Sequence, residues 1–178
     1  MNRYIAFLRA VNVGGHNVKM DKLKQHFEEM GFKKVETFIA SGNVIFDSKG
    51  LDRPKIENTI EKHLFNALGY EVATFLRTFD EIEYIIKYMA FPRVKYNEAA
   101  ANNIGFMKNN LNGEQLKILR DLETEIDDFH SHQSEVYWLC KKRQSQSTFS
   151  GNLFEKKLKT RVTFRGIKTL QKMLAKHS

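Results

Sequence analysis

The chain has 178 residues, of which 42% are hydrophobic and 28% are charged, and its formal net charge is +8. This composition is typical of a globular protein and excludes an intrinsically disordered chain. A single cysteine excludes an intrachain disulfide, and no apolar run approaches the roughly 20 residues of a membrane span, so we expect a cytoplasmic protein without a membrane partner.

The positive charge is concentrated in the last fifth of the chain. Residues 1–140 contain 18 basic and 20 acidic residues, whereas residues 141–178 contain 11 basic residues and one acidic residue, Glu155. Such asymmetry is typical of proteins that meet nucleic acid or an anionic surface, although a solvated basic face that aids solubility has the same composition. The candidate nucleic-acid contacts are Lys141, Lys142, Arg143, Lys156, Lys157, Lys159, Arg161 and Arg165.

The first part of the chain predicts a strand–helix–strand–strand–helix–strand order. Residues 4–10 give a strand with apolar residues on both faces, and apolar residues at helical spacing follow over residues 20–30. Gly42-Asn43 predicts a two-residue turn between two strands, and Asp52 and Gly69 predict the start and end of a second helix. The predicted strands span residues 4–10, 34–40, 44–47 and 71–77, and the predicted helices span residues 20–30 and 53–68.

A linking helix follows, and the same order then returns. Thr78 and Glu81 predict a capping box at the start of the linking helix, and Phe91-Pro92 is predicted to end it. Asn112 and Gln115 predict the start of a helix in the second part. Further strands are predicted at residues 103–108, 128–132, 135–142 and 161–164, with helices at residues 113–122, 153–158 and 167–174.

These elements predict an α+β protein built from duplicated ferredoxin-like (βαββαβ) halves with a linking helix and a C-terminal helix. The first half spans residues 1–77, the connecting helix and loop span residues 78–99, and the second half with the C-terminal helix spans residues 100–178. Ile5 and Phe7 make the second face of the first strand apolar, so we expect the other half to cover it and the two halves to pack as one compact unit.

Two stretches carry a family resemblance. The run YIAFLRAVNVGGHNVKM at residues 4–20 and the run FIASGNVIF at residues 38–46 resemble the bacterial family catalogued as domain of unknown function 1697, in which the second run reads YIQSGNVVF. A weaker likeness lies at residues 163–169, where TFRGIKT matches the family's TTRNWNT at Arg165 and Thr169. The resemblance implies a duplicated ferredoxin-like fold. It implies no activity, because the family has none established.

A candidate ligand site follows from the predicted topology. In a ferredoxin-like sheet the first strand ends at the edge where the second and third strands are joined, so the loop at residues 12–19 should lie beside the turn at residues 41–43. Glycines that allow close backbone approach, a guanidinium and the start of a helix are the parts of an anion or phosphate cradle. Tight turns and a structural ion pair explain the same residues without a ligand, and neither a Walker loop nor GxGxxG is present. The candidate ligand-binding residues are Arg9, Asn12, Gly14, Gly15, Asn17, Ser41, Gly42 and Asn43.

Three other groups of residues do not predict a functional site. His130 and His132 share one strand face, but no third metal ligand stands at a convincing spacing, and we assign no metal, no cofactor and no catalytic residue. Cys140 lies in an apolar strand, so we expect an inert buried thiol. Asp127 and Asp128 are adjacent on a strand and should face opposite ways, which makes them poor partners for acid–base catalysis.

Three functions therefore remain open. The first is binding of a small anionic or phosphorylated ligand at the end of the first sheet. The second is non-specific nucleic-acid binding through the basic C-terminal region, for which the third strand lacks the aromatic platform of an RNA recognition motif. The third is a non-catalytic interaction protein. The sequence determines neither the ligand, nor a reaction, nor the oligomeric state.

Overall fold

A computed structural model describes residues 1–12, 14–39 and 42–177. Its first part contains four strands and two helices that alternate as expected for a βαββαβ arrangement. They are β1 (Asn2–Leu8), α1 (Met20–Glu29), β2 (Lys33–Thr37), β3 (Asn43–Ser48), α2 (Arg53–Leu68) and β4 (Thr74–Thr78).

The remainder of the described chain repeats this order after two linking helices and adds a C-terminal helix. A short 3-10 turn at Gln144–Gln146 precedes the last strand–helix unit. The elements are α3 (Phe79–Lys87), α4 (Arg93–Glu98), β5 (Ala101–Phe106), α5 (Gly113–Asp121), β6 (Asp127–His132), β7 (Glu135–Cys140), α6 (Gly151–Leu158), β8 (Thr163–Gly166) and α7 (Ile167–His177).

The strands form two antiparallel four-stranded sheets with the same topology. Their spatial orders are β2-β3-β1-β4 and β6-β7-β5-β8, and helices lie alongside each sheet. This arrangement confirms the predicted α+β class and the duplicated βαββαβ pattern. By its internal contacts the chain divides into two units, Met1–Glu83 and Tyr84–Ser178, which we call unit 1 and unit 2. Among the described residues, no helix is both long enough and apolar enough to cross a membrane.

Local sequence signals set the helix ends in both units. Asp52 accepts a hydrogen bond from the Lys55 N–H at the start of α2, and Gly69 ends that helix with a left-handed φ of 82°. At α5, Asn112 and Gln115 cap each other's backbone reciprocally. These residue types satisfy backbone groups that a helix end leaves unpaired, which is why the sequence places these ends correctly.

Aromatic packing dominates the core of unit 2. Trp138 is buried and packs edge-on against Phe149 and Phe164, with ring centroids 4.7 and 5.8 Å apart. Gly105 makes room for this cluster, because a Cβ at that position would lie 2.6 Å from the Phe164 ring. The predicted β5 thus contains a glycine for a packing reason rather than for a turn.

Two predicted details of the chain path were wrong. The connection between β2 and β3 is not a two-residue turn at Gly42-Asn43, because Asn43 already belongs to β3 and is paired with Phe7 of β1. The linking helix ends at Lys87, before Phe91-Pro92, and the separate helix α4 was not predicted.

Candidate functional site

The loop after β1 and the β2–β3 connection lie at one end of the unit 1 sheet. The Leu8 N–H donates to the Gly42 carbonyl at 2.8 Å, and a Cβ at Gly42 would lie 3.6 Å from the Val11 side chain. The antiparallel pairing of β1 with β3 fixes this proximity, because it brings the end of the first strand beside the start of the other. We call this end of the sheet the rim.

Contacts with Tyr70 and within the loop hold residues 11–12 and 14–18 at the rim. The Val18 N–H donates to the side-chain oxygen of Asn12 at 2.7 Å, which closes the loop on itself. Tyr70, just after α2, donates its hydroxyl to the Val11 carbonyl at 2.9 Å and stacks on His16 with ring centroids 3.8 Å apart. These contacts therefore fix the shape of the loop from the side on which Tyr70 lies.

The solvent side of this loop exposes two glycines and the residue that precedes α1. Gly14 and Gly15 are exposed with φ of 67° and 84°, and no described heavy atom lies within 4 Å of a Cβ built on either. Lys19, the N-cap of α1, is exposed and makes no side-chain capping hydrogen bond within the described part of the chain. The first N–H groups of α1 therefore lack the side-chain cap that many helices have, while Asp21 adds one negative charge to the first turn.

Other predicted rim residues brace the structure. Asn43 is fully buried, and its side-chain amide donates to the Phe38 carbonyl at 3.0 Å. Gly42 is buried beneath Leu8, so neither residue faces solvent. Arg9 is half-buried at the end of β1, where its backbone N–H donates to the Ala73 carbonyl.

Two residues of the predicted ligand-binding set remain, Asn17 and Ser41. Asn17 is exposed in the loop. Ser41 lies outside the described residues. The rim surface that the structure describes is thus made mainly by residues 12 and 14–19, whereas Gly42 and Asn43 are buried.

The basic C-terminal candidates are exposed with one exception. Lys141 lies 3.4 Å from the Glu98 carboxylate, an ion pair at the surface. Arg165 is buried, where its guanidinium donates to the Thr163 hydroxyl at 2.7 Å and to the Phe164 carbonyl at 2.9 Å, and burial lowers its pKa to about 10. Arg165 is therefore not part of the basic surface. That surface consists of Lys141, Lys142, Arg143, Lys156, Lys157, Lys159 and Arg161.

His130 and His132 bind tyrosine hydroxyls. Nε2 of His130 lies 3.0 Å from the Tyr88 hydroxyl, and Nε2 of His132 lies 3.0 Å from the Tyr84 hydroxyl. His132 also stacks on Tyr88, with ring centroids 4.0 Å apart. The two rings are thus members of an aromatic cluster on β6 and α3.

The expectation that Cys140 is buried is confirmed. Cys140 is fully buried in β7, and desolvation raises the pKa of its thiol. A buried thiol that resists ionisation is a poor nucleophile.

Unit 2 also contains a pocket that the sequence did not predict. Its volume is about 320 Å³, near the lower end of the range for small-molecule sites. Burial strongly raises the pKa of Tyr137 at its wall, so this phenol stays protonated. Its polar lining comes from Tyr88, Arg93, Tyr96, Asn102, Tyr137 and Gln171, and its apolar lining from Ile85, Ile86, Met89, Ile104 and Ile167.

A second feature outside the predicted site lies between α1 and α2. His26 and Glu29 of α1 meet His63 of α2, and one side-chain donor atom from each lies within 4.8 Å of the others. The spacing of three residues between His26 and Glu29 was a usable signal, since it places both on one helix face. Nothing in the sequence indicates which residue of α2 opposes them.

Comparison with known proteins agrees with the fold and its motifs. The sequence model described as "Protein of unknown function (DUF1697)" matches residues 1–137. The chain belongs to the DUF1697 family. A solved structure, that of conserved bacterial protein SP0830 from Streptococcus pneumoniae, is similar with a TM-score of 0.74 and 22% sequence identity, over 99% of this chain and 98% of that chain. At this identity the likeness shows the fold alone, and a search of curated proteins found no match.

The part matched by the DUF1697 family ends within β7. It contains the rim and the cluster of His26, Glu29 and His63, whereas all members of the basic surface follow it in the chain. In this DUF1697 protein, the rim is thus a candidate site within the part of the chain that the family model matches, whereas the basic surface is a candidate site in the part that follows it.

Proposed function

We propose that this DUF1697 protein binds a small anionic or phosphorylated ligand at the rim. The observation that carries the proposal is the start of α1, which no side chain among the described residues caps and which follows the exposed Gly14-Gly15 loop. Backbone N–H groups at a helix start favour negative charge, and glycines let an anion approach the backbone closely. Lys19 adds a flexible cation at the same place.

The charge balance at the rim favours an anion. Lys19 and Arg9 supply two positive charges to this end of the unit, and Asp21 supplies one negative charge in the first turn of α1. The net charge of these three residues is positive, so an anionic group is attracted to this end of the unit. The stacked rings of His16 and Tyr70 beside the loop offer an edge for a planar group on such a ligand.

A thermal-shift screen of inorganic phosphate, nucleotides, phosphorylated metabolites and small carboxylates tests this proposal. A rim ligand should raise the melting temperature of the wild-type protein, and Arg9→Ala and Lys19→Glu should each reduce that rise. Lys24→Glu is the matched control, because Lys24 is exposed on the same helix and pairs with Glu28 at 3.8 Å. A screen without any hit, or a hit that Arg9→Ala and Lys19→Glu leave unchanged, would refute the proposal.

A second candidate function is non-specific nucleic-acid binding by unit 2. The supporting observation is the exposure of Lys156 and Lys157 on α6 together with the other members of the basic surface. Such binding depends on counterion release, so it should weaken steeply with salt. Gel shifts with RNA and DNA at low and moderate salt test it, with Lys156→Glu/Lys157→Glu as the variant and Lys19→Glu as the control. If both screens fail, an interaction role without a small ligand or nucleic acid becomes the leading hypothesis.

A further inference from the structure

Three metal-ligating side chains converge between the two helices of unit 1. The Nδ1 atom of His26 and the Nε2 atom of His63 both lie 3.4 Å from the same Glu29 carboxylate oxygen, Oε2. The two ring nitrogens lie 3.3 Å from each other. The three donor atoms thus form a nearly equilateral triangle.

The size of this triangle matches metal coordination better than hydrogen bonding. Hydrogen bonds from a ring N–H to a carboxylate have an optimum near 2.9 Å, shorter than either nitrogen–oxygen distance here. Tetrahedral Zn²⁺ with ligands at about 2.0–2.1 Å requires its donor atoms to be about 3.3–3.4 Å apart. All three sides of the triangle fall at that spacing, so one ion above its plane reaches every donor without movement of the helices.

Hydrogen bonds from neighbouring side chains also orient the Glu29 carboxylate. Gln25 donates its side-chain amide to the other oxygen of Glu29, Oε1, at 2.9 Å, which leaves Oε2 for the two histidines. Lys22 in turn donates to the Gln25 side-chain oxygen at 3.1 Å. Hydrogen bonds of this kind, made to the atom that does not bind the metal, orient ligands in known metal sites.

The cluster is closed on one side and open on the other. The His26 side chain is only 8% exposed, whereas those of His63 and Glu29 are 29% and 44% exposed. The buried His26 fixes one of the three donor atoms against the packed helices. The exposed side of the cluster gives an ion a path from solvent. Three protein ligands and an open direction leave one coordination position for water.

We propose that His26, Glu29 and His63 form a binding site for a divalent transition-metal ion of the Zn²⁺ class. Two imidazoles and one carboxylate suit Zn²⁺, Co²⁺ and Ni²⁺, whereas Mg²⁺ and Ca²⁺ prefer oxygen ligands alone. The ion links α1 to α2, since His63 is its one ligand from the second helix. This site is separate from the rim and does not depend on the function proposed there.

Metal binding by the full chain without an affinity tag tests the proposal. Competition with a chromogenic chelator gives the stoichiometry and affinity for Zn²⁺, and the visible absorption of bound Co²⁺ reports a tetrahedral site. We expect one ion per chain, a higher melting temperature with Zn²⁺, and at least a tenfold loss of affinity in His63→Ala and in Glu29→Gln. His16→Ala is the matched control, because His16 is a histidine of the same unit outside the cluster.

Three results would overturn the proposal. They are no Zn²⁺ binding in the micromolar range, binding that His63→Ala and Glu29→Gln leave unchanged, and binding that His16→Ala weakens as much as His63→Ala does. Because Glu29 and His63 lie at the surface, we expect both variants to fold, and circular dichroism verifies this. Should His63→Ala fail to fold, the same comparison is made with Glu29→Gln, which keeps the size and hydrogen-bonding capacity of the side chain.

Discussion

Gly42 lies against the end of β1, with its carbonyl oxygen 2.8 Å from the Leu8 backbone nitrogen. A Cβ at residue 42 would lie 3.2 Å from both the Leu8 Cβ and the Leu8 carbonyl oxygen, and Gly42 itself has a φ of 75°. Backbone conformation and close packing therefore both require glycine at this position. The contact joins the hairpin to the strand and defines the rim.

Gly42→Ala should destabilise the protein more than Gly15→Ala does. Both glycines have positive φ, so each substitution costs about 1–2 kcal/mol of backbone strain, but only Gly42 also faces a close neighbour, which adds about 1–3 kcal/mol. Urea denaturation followed by circular dichroism measures the difference. Equal losses in the two variants would show that the contact with Leu8 relaxes freely.

Glu57 of α2 supplies a hydrogen-bond acceptor to the edge strand β4. Its carboxylate accepts from the Leu76 N–H at 2.9 Å in a buried position, and Glu61 does the same for the Thr74 N–H. Glu57→Ala should lower the free energy of unfolding by about 1–3 kcal/mol because it leaves a buried N–H without an acceptor. Glu57→Gln keeps an acceptor oxygen and should lose less. Faster amide exchange at Leu76 in Glu57→Ala is the local readout, and unchanged exchange would contradict this assignment.

Asp127 organises the core of unit 2 around Trp138. Its Oδ1 accepts from the Trp138 indole N–H at 2.8 Å, and its Oδ2 accepts from the Ser147 hydroxyl at 2.8 Å and the Thr124 hydroxyl at 3.0 Å. Asp127→Ala should lower the free energy of unfolding by about 3 kcal/mol, because the buried Trp138 N–H loses its acceptor and the two hydroxyls of Ser147 and Thr124 lose theirs at the edge of the core. Trp138 is the only tryptophan, so its fluorescence reports on unit 2 directly.

Asp127→Asn is the matched comparison for that substitution. The amide keeps one oxygen for the Trp138 N–H, so we expect a smaller loss than in Asp127→Ala. If the two variants were equally destabilised, the bond to Trp138 would contribute little.

His130 should make the stability of unit 2 depend on pH. Burial, reinforced by the charge of His132, lowers the pKa of His130 below its ordinary value. The unfolded chain therefore takes up a proton at a higher pH than the folded chain. Stability should fall as the pH decreases from about 6.5 towards the lowered pKa of the folded state.

Urea titrations at several pH values, followed by Trp138 fluorescence, measure this dependence. His130→Gln should flatten it, whereas His16→Gln, in unit 1, should leave it unchanged. A wild-type protein whose unit 2 gains stability on acidification through this window would contradict the prediction.

Sequence patterns determined the secondary structure and the topology of this protein. Apolar spacing and capping residues such as Asp52, Gly69 and Asn112 act within a few residues of each other, so their consequences can be worked out along the chain. The repeated βαββαβ order then restricts the sheet topology, and with it the proximity of the Leu8 and Gly42 segments. The predicted anion site and basic surface remain proposals.

Tertiary packing alone decided which side chains face solvent and which distant ones meet. Asn43 and Arg165 were predicted as contacts for a ligand or nucleic acid, yet both are buried and bonded to neighbouring backbone. His26 and His63 lie 37 positions apart, and their meeting depends on how α1 and α2 rotate about their axes as they pack on the sheet. Helical spacing fixes the faces within one helix, but only the packing of two helices selects which faces come together.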